Sequence, residues 1–399
     1  MPWPRKPLPT WTRRTDMIYL DNNATTAMDP RVAHVLNETL LRGPLNPSSQ
    51  HQFGQRARFR LEESLDRIAR VLGSDLTRVG ADRLIVTSGG TEANNAAITG
   101  LGEPDTTLVV SSIEHPSVLA AAQAKSEARP VRLIPVDANG VVRLDRLQEI
   151  IKAEQQASRR IGLVSVMSAN NETGVIQPIQ DIARVCRAAQ VLLHVDVTQS
   201  IGKVPVDFTA WGIDAATITP HKYHGPTGVG FVWLRSGIEL KPSLLGGEQQ
   251  LGTRPGTEPV GLVAAAAEAT ALAIEEFPAA SAHMASLRDR LEATLSDRFP
   301  EIVVQGKQAD RLPSTCCLSF VGADRQNLLL ALDMAGVACS SGSACSSGSS
   351  PPSHVLMAMG ASKAEVDSAL RFSVSRFSTE QEIDQAIEII AKKYQTVRH

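Results

Sequence analysis

The sequence predicts an α/β protein with a mostly parallel sheet in a large domain, followed by a smaller α+β unit. Between about Ile85 and Leu234, short β-branched runs alternate with helical stretches. That alternation builds parallel sheets through crossover helices. The runs are apolar almost without a break, which suits strands buried on both faces. After Gly256 the texture changes to two long helical patterns and a few isolated strand patterns.

In order, strands are expected at LIVTS (84–88), TLVVSS (107–112), VRLIPV (131–136), IGLVSVM (161–167) and LLHVDV (192–197). Helical periodicity falls between them, in TEANNAAITGL (91–101), HPSVLAAAQAKSEA (115–128) and QDIARVCRAAQ (180–190). An alanine-rich helix at 260–276 and an amphipathic one at 280–298 precede strands at 315–322 and 370–375. The expected division is a large domain at 17–262, whose first residues can pack on the small one, and a small domain at 263–399. The Ser/Gly-rich run at 340–350 is too polar for a core and reads as an exposed loop.

Composition excludes several classes. A formal net charge of -2 gives no reason to expect nucleic acid or a membrane surface as partner. No apolar run approaches a membrane span. Five cysteines, an odd number without framework spacing, point to a reducing, cytoplasmic compartment. Residues 1–16 carry four arginines or lysines and four prolines but no apolar stretch, so they read as a flexible tail rather than a leader.

Four motifs carry chemistry. TPHKYHG (219–225) places Lys222 after a strand in a tight turn, and HVDVTQS (194–200) places Asp196 at the end of a buried strand. Pyridoxal phosphate needs both groups: a lysine to bind it covalently and a carboxylate to keep its ring nitrogen protonated. TSGGTEANN (87–95) is a strand end, a glycine turn and a helix start. Gly89 and Gly90 let the backbone approach an anion at a helix N-terminus, and Thr91 offers a hydroxyl contact and a helix cap. EHPSV (114–118) adds His115, a ring able to lie on a cofactor and to move protons near neutral pH.

The order YLDNNATT, NPSSQHQFG, TSGGTEANN, EHPSV, ANNETG, HVDVTQS, PHKYHGPTG, RPGTEP, SSGSACSSGS and LRFSVSRF resembles the cysteine desulfurase family, a branch of the fold-type I pyridoxal-phosphate transferases. The likeness runs from about Ile18 to Lys392. It implies that Lys222 is the Schiff-base lysine, Asp196 the ring-nitrogen partner and His115 the stacked acid/base. Gln199 and Asn171 would contact the 3-hydroxyl side of the ring. Gly90, Thr91, Thr219 and His221 would hold the phosphate. Thr257 would reach the phosphate of a second subunit, making the protein a homodimer. Arg371 would grip the substrate carboxylate, with Asn171 beside it. Arg376 falls past the strand and reads as a surface residue. Gln250 and Leu251 stand where the family commonly has an acid and a base.

The resemblance makes Cys345 the nucleophile, and its exposed Ser/Gly-rich setting agrees, because such a cysteine has no packing role. Cys339 is the competitor, expected to be buried and inert. Cys316 and Cys317 are adjacent in a strand and face opposite ways, and no metal site is expected. The implied reaction turns L-cysteine into L-alanine and leaves sulfur as a persulfide on Cys345. A sulfur-acceptor or iron–sulfur scaffold protein would then receive it. A selenocysteine lyase shares most of this constellation. A scaffold without chemistry would have no use for Lys222, Asp196, His115 and Cys345 together.

Overall fold

Side-chain alternation explains the uninterrupted apolar strands. The computed structural model describes residues 17–127, 129–342 and 351–398. After a two-residue strand β1 (Ile18–Tyr19), seven strands form one sheet. They are β2 (Arg83–Thr87), β3 (Thr107–Ser111), β4 (Val131–Ile134), β5 (Ile161–Met167), β6 (Leu192–Asp196), β7 (Ala215–Ile218) and β8 (Gly230–Leu234). In β3, Val109 packs into one core while Leu108 and Val110 pack into another on the opposite face. Helices Gly90–Gly100 and Pro116–Ala124 cover the second face. Strands buried on both sides show no polar alternation.

The sheet order is β2-β8-β7-β6-β5-β3-β4. Four of the six pairings are parallel, and β8 runs antiparallel to both β7 and β2. One reversed strand between two of common direction leaves the other six ending at the same edge. In open α/β sheets that carboxyl edge is where ligands bind. The five strands read from sequence in this region are β2 to β6, each matching within two residues at either end. Helix Pro116–Ala124 stops four residues earlier than its pattern.

A second core belongs to the antiparallel strands β9 (Ile302–Val304), β10 (Thr315–Phe320) and β12 (Ala369–Ser373), ordered β12-β10-β9, and to helices Phe277–Arg298 and Glu380–Val397. β1 pairs in parallel with β11 (Val337–Ala338), so Ile18 and Leu20 join this core. Cys316 faces it, while Cys317 faces the core of the large sheet. No helix among the described residues is long and apolar enough to cross a membrane.

The segment after β1 crosses from one core to the other. Asn22 Nδ2 donates to the Ser373 carbonyl (2.8 Å) and the Asn23 amide to Ser373 Oγ (2.9 Å). Farther on, the Thr26 amide donates to the His221 carbonyl (2.9 Å). YLDNNATT is thereby laid under the turn that holds Lys222.

Gln250, one of the two departures from the family pattern, has a structural role. Its side-chain amide caps the free edge of β2: Oε1 accepts from the Val86 amide (2.6 Å) and Nε2 donates to the Val86 carbonyl (3.0 Å). An edge strand presents such unpaired groups, and a side chain here occupies them. Gln250 and Leu251 both adopt left-handed backbone, at φ 52° and 58°. Gln250→Ala should lower unfolding stability by about 1–3 kcal/mol, from the two lost hydrogen bonds to Val86 and a third to the Arg254 carbonyl. Urea denaturation at fixed protein concentration checks this, and an unchanged midpoint would show that the clasp carries no stability.

Candidate active site

Five of the six strands that end at the carboxyl edge, β2, β3, β5, β6 and β7, each hand one functional segment to the same cleft. Lys222 closes a short 3-10 turn (Pro220–Lys222) after β7. Its Nζ donates to the carbonyls of Asn23 (2.7 Å) and Ala24 (2.6 Å). Burial, then the nearby Arg371 charge, lowers its pKa to about 8, against the opposing pull of Asp21 and Asp196. A lysine that sheds its proton this easily is a usable nucleophile near neutral pH.

Asp196, buried at the end of β6, is fixed by two donors. Asn94 Nδ2 reaches Oδ2 (2.8 Å) and the Thr198 amide reaches Oδ1 (2.9 Å). His115 caps helix Pro116–Ala124, its Nδ1 accepting from the Ser117 amide (3.2 Å). Burial lowers its pKa; the Asp196 charge opposes this and Lys222 adds to it. Lys222, Asp196 and His115 therefore feel one another's charges.

After β2 the chain turns at Gly89, φ 156°, and starts helix Gly90–Gly100 with no side-chain cap. Thr91 was expected to cap it but lies inside the first turn, because Gly89 takes the cap position. A Cβ on Gly90 would collide with the Thr219 hydroxyl, so the concavity is open only with glycine there. His221 places Nδ1 3.1 Å from Thr25 Oγ1, and burial followed by the Lys222 charge lowers its pKa to about 4. A neutral His221 retains one N–H to offer an anion. Uncapped helix N-terminus, threonine hydroxyls and imidazole together fit a phosphate. With Asp196 and Lys222 in the same cleft, the donor set fits pyridoxal phosphate.

Arg371, on β12, is buried and held from two sides. Its guanidinium donates to the Asn171 carbonyl (2.9 Å) and pairs with Asp21 (2.6 Å). Arg376 is not a surface residue: its side chain is only 9% exposed, packed against Asp29, and pairs with Glu276 at 3.2 Å. The fold wraps Asp29, at the start of helix Pro30–Leu41, back over it. Thr257 is exposed.

Cys345 lies outside the described residues. Gly342, the last described residue before that segment, and Ser353, two residues past its other edge, both meet Glu172: Ser353 Oγ donates to Oε2 at 2.6 Å, and a Cβ on Gly342 would lie 2.7 Å from that oxygen. Ser340 exchanges backbone hydrogen bonds with Arg371. Cys339 is partly rather than fully buried, since β11 ends before it, yet burial still pushes its thiol pKa well up. Burial likewise pushes Cys186 and Cys317 to about 12 and Cys316 upward. None of these four ionises readily.

Several residues here had no assignment from sequence. Asn23 accepts on its carbonyl from Lys222 and from Gln199 Nε2 (3.1 Å). Lys203, fully buried, donates to Gln199 Oε1 (2.9 Å), and burial lowers its pKa to about 7. Glu114 is buried with Oε2 unpartnered, and burial raises its pKa to about 8. Asn23 stands inside the quoted YLDNNATT motif, but only the fold shows what it touches.

The model for the family described as "Aminotransferase class-V" matches residues 18–386. The chain belongs to the class-V aminotransferase family. It is 36% identical over 386 residues to a cysteine desulfurase of Trichormus azollae, covering 96% of this chain and 94% of that one. It is 36% identical to the cysteine desulfurase IscS of Rickettsia akari, covering 96% and 92%. Among solved structures, a NifS-like protein from Rickettsia africae superposes with TM-score 0.86 at 32% identity, over 95% of this chain and 99% of that one. Class-V aminotransferases depend on pyridoxal phosphate, and the cleft has the groups to hold it.

In a class-V aminotransferase of this geometry, cofactor uptake should report the Lys222 pKa. The unprotonated amine reacts, so the uptake rate of cofactor-free protein should rise about tenfold per pH unit below 8 and level off above it. Following the visible band during reconstitution gives the midpoint. A midpoint at the ordinary lysine value of 10.5 would overturn the burial argument.

Proposed function

We propose that this protein is a cysteine desulfurase that converts L-cysteine to L-alanine and holds the sulfur as a persulfide on Cys345. What supports this most is the meeting of Lys222, Asp196 and Arg371 in one cleft, with the segment that carries Cys345 entering beside Arg371. Pyridoxal phosphate, when bound, supplies an electron sink for the substrate's α-carbon.

Each residue then has a role. Arg371 is already oriented by Asp21 and the Asn171 carbonyl, so a substrate carboxylate meets a positioned guanidinium. Lys222 would hold the cofactor and, freed by the substrate, move protons at the substrate's α-carbon. Asp196 would keep the ring nitrogen of the bound cofactor protonated, Gln199 and Asn171 would hold its 3-hydroxyl side, and Gly90, Thr91, Thr219 and His221 would hold its phosphate. His115 exchanges protons with substrate. The Cys345 thiolate attacks the substrate sulfur: an S–S bond forms, the C–S bond breaks, and its electron pair ends on the β-carbon, which takes up a proton to give alanine. The persulfide passes to a sulfur-acceptor or iron–sulfur scaffold protein in the cytoplasm, where free thiols persist.

The active form is a homodimer, with Thr257 completing the partner's phosphate site. Exposed apolar side chains such as Leu41 (74%), Phe59 (69%) and Leu245 (92%) are consistent with a covered face. Sedimentation should give a dimer; a monomer that retains the cofactor would count against it.

Lys222→Ala should abolish alanine formation, and Cys345→Ser should bind cofactor and cysteine yet release no sulfur. Mass spectrometry after incubation with cysteine, without reductant, should find one added sulfur on the peptide containing Cys345. Sulfur found on the Cys339 side in single-cysteine variants would move the nucleophile there.

A further inference from the structure

Asn94 sits on helix Gly90–Gly100, one turn beyond the proposed phosphate contact, and is 2% exposed. Its Nδ2 donates to two acceptors: Asp196 Oδ2 at 2.8 Å and Ser117 Oγ at 2.9 Å. Its Oδ1 is buried without a hydrogen-bond partner. Turning the amide over would set that oxygen against the Asp196 carboxylate, two acceptors facing each other. The carboxylate therefore dictates the orientation, and the unsatisfied oxygen is the consequence.

The second bond passes the constraint on. With Asn94 donating to it, Ser117 Oγ has its own hydrogen free to point at His115 Nδ1, 2.8 Å away. The Ser117 amide donates to the same nitrogen at 3.2 Å. A nitrogen facing two donors must present its lone pair, so the ring proton stays on Nε2.

We propose that Asn94 is a positioning residue that ties the Asp196 carboxylate to the tautomer of His115, so that one side chain sets both groups. The proposal rests on the desulfurase reading for its catalytic consequence but not for the hydrogen-bond chain itself. His115 is offered to substrate as an Nε2–H donor, and protonation at Nδ1 is opposed. Asp196, Lys222 and His354 are the charged or titratable groups acting on His115, and Glu114 precedes it in the chain. Asn94→Ala removes the donor that fixes Ser117 Oγ, frees that hydroxyl to accept, and lets Nδ1 take a proton at higher pH.

The test is nitrogen NMR of the histidine-labelled, full-length, cofactor-loaded protein, with His115→Asn to assign the signal. In the unsubstituted protein His115 should show an unprotonated Nδ1 at neutral pH. In Asn94→Ala its protonation midpoint should move up toward 6.5, the ordinary histidine value. Turnover should fall about tenfold, less than the roughly hundredfold or more that a general acid–base group itself contributes because His115 remains present, with KM for cysteine within about twofold. Ser117→Ala, which keeps Asn94 on Asp196, should shift the His115 signal but leave the pH dependence of the cofactor's visible band unchanged. Asn94→Ala should move both.

A His115 signal and band in Asn94→Ala identical to those of the unsubstituted protein would overturn the proposal. Were Asn94→Ala not to fold, an unmoved His115 signal in Ser117→Ala would overturn it equally. Absence of any cofactor band in the unsubstituted protein would remove the desulfurase reading instead. The His115 measurement on cofactor-free protein would then still decide the role of Asn94.

Discussion

Asn23 spans the boundary between the large sheet's core and the small one at the site. Asn23 uses nearly all its hydrogen-bonding capacity across the boundary. Its amide and side-chain nitrogen reach Ser373 Oγ and Thr315 Oγ1 on the small sheet, and the side-chain nitrogen also touches the Asn171 carbonyl. Its carbonyl accepts from Lys222 and Gln199, and Oδ1 from Lys203 at 3.3 Å. Without these acceptors two buried ammonium groups would lose anchors, and burial of unpaired charge is among the costliest changes a protein can suffer. Burial, and then neighbouring positive charge, lowers the pKa of Lys222 and Lys203, and the carbonyl and amide oxygens that hold the amines in place carry no full negative charge to offset it.

The cleft is electrostatically divided. On one side burial lowers the pKa of Lys222 and Lys203, the Arg371 charge adds to both, and the Lys222 charge adds to that on Lys203. On the other, Asp196 opposes the loss of charge on His115 and helps keep Glu114 neutral. A zwitterionic amino acid with an anionic carboxylate suits the first side. The Asp21 carboxylate, 2.6 Å from Arg371, moderates that positive field without cancelling it.

Periodicity made the central sheet readable. β3, β5 and β6 are apolar because both faces are covered, and Lys222, Asp196 and His115 stood out as polar residues at strand ends. Pattern carries no information on distance in space, however. Asn23 and Lys222 are 199 positions apart, and Asn94 and Asp196 are 102 apart. Nothing local in an Asn-Asn pair tells which side chain turns inward. Arg376 was misjudged for the same reason, since its partners Asp29 and Glu276 come from distant helices that wrap over it. Thr91 was displaced from the cap because Gly89, two residues earlier, takes that position with a backbone angle that other residues rarely adopt. Cys345 remains a reading of sequence alone.

The crossing of Asn22 and Asn23 to Ser373 also bears on biosynthesis. Lys222, Asp196 and the glycine turn leave the ribosome long before β12, yet Asn23 is tied to Ser373 and Arg371 lies on that late strand. Contacts between residues 350 positions apart close slowly, and domains at the amino end fold first during synthesis. A nascent chain therefore carries its reactive lysine through the synthesis of everything between it and β12 before the acceptors beneath it are locked in place. Capture of the cofactor becomes an event of the finished chain, and the reactive amine meets its ligand in a completed cleft instead of an open intermediate.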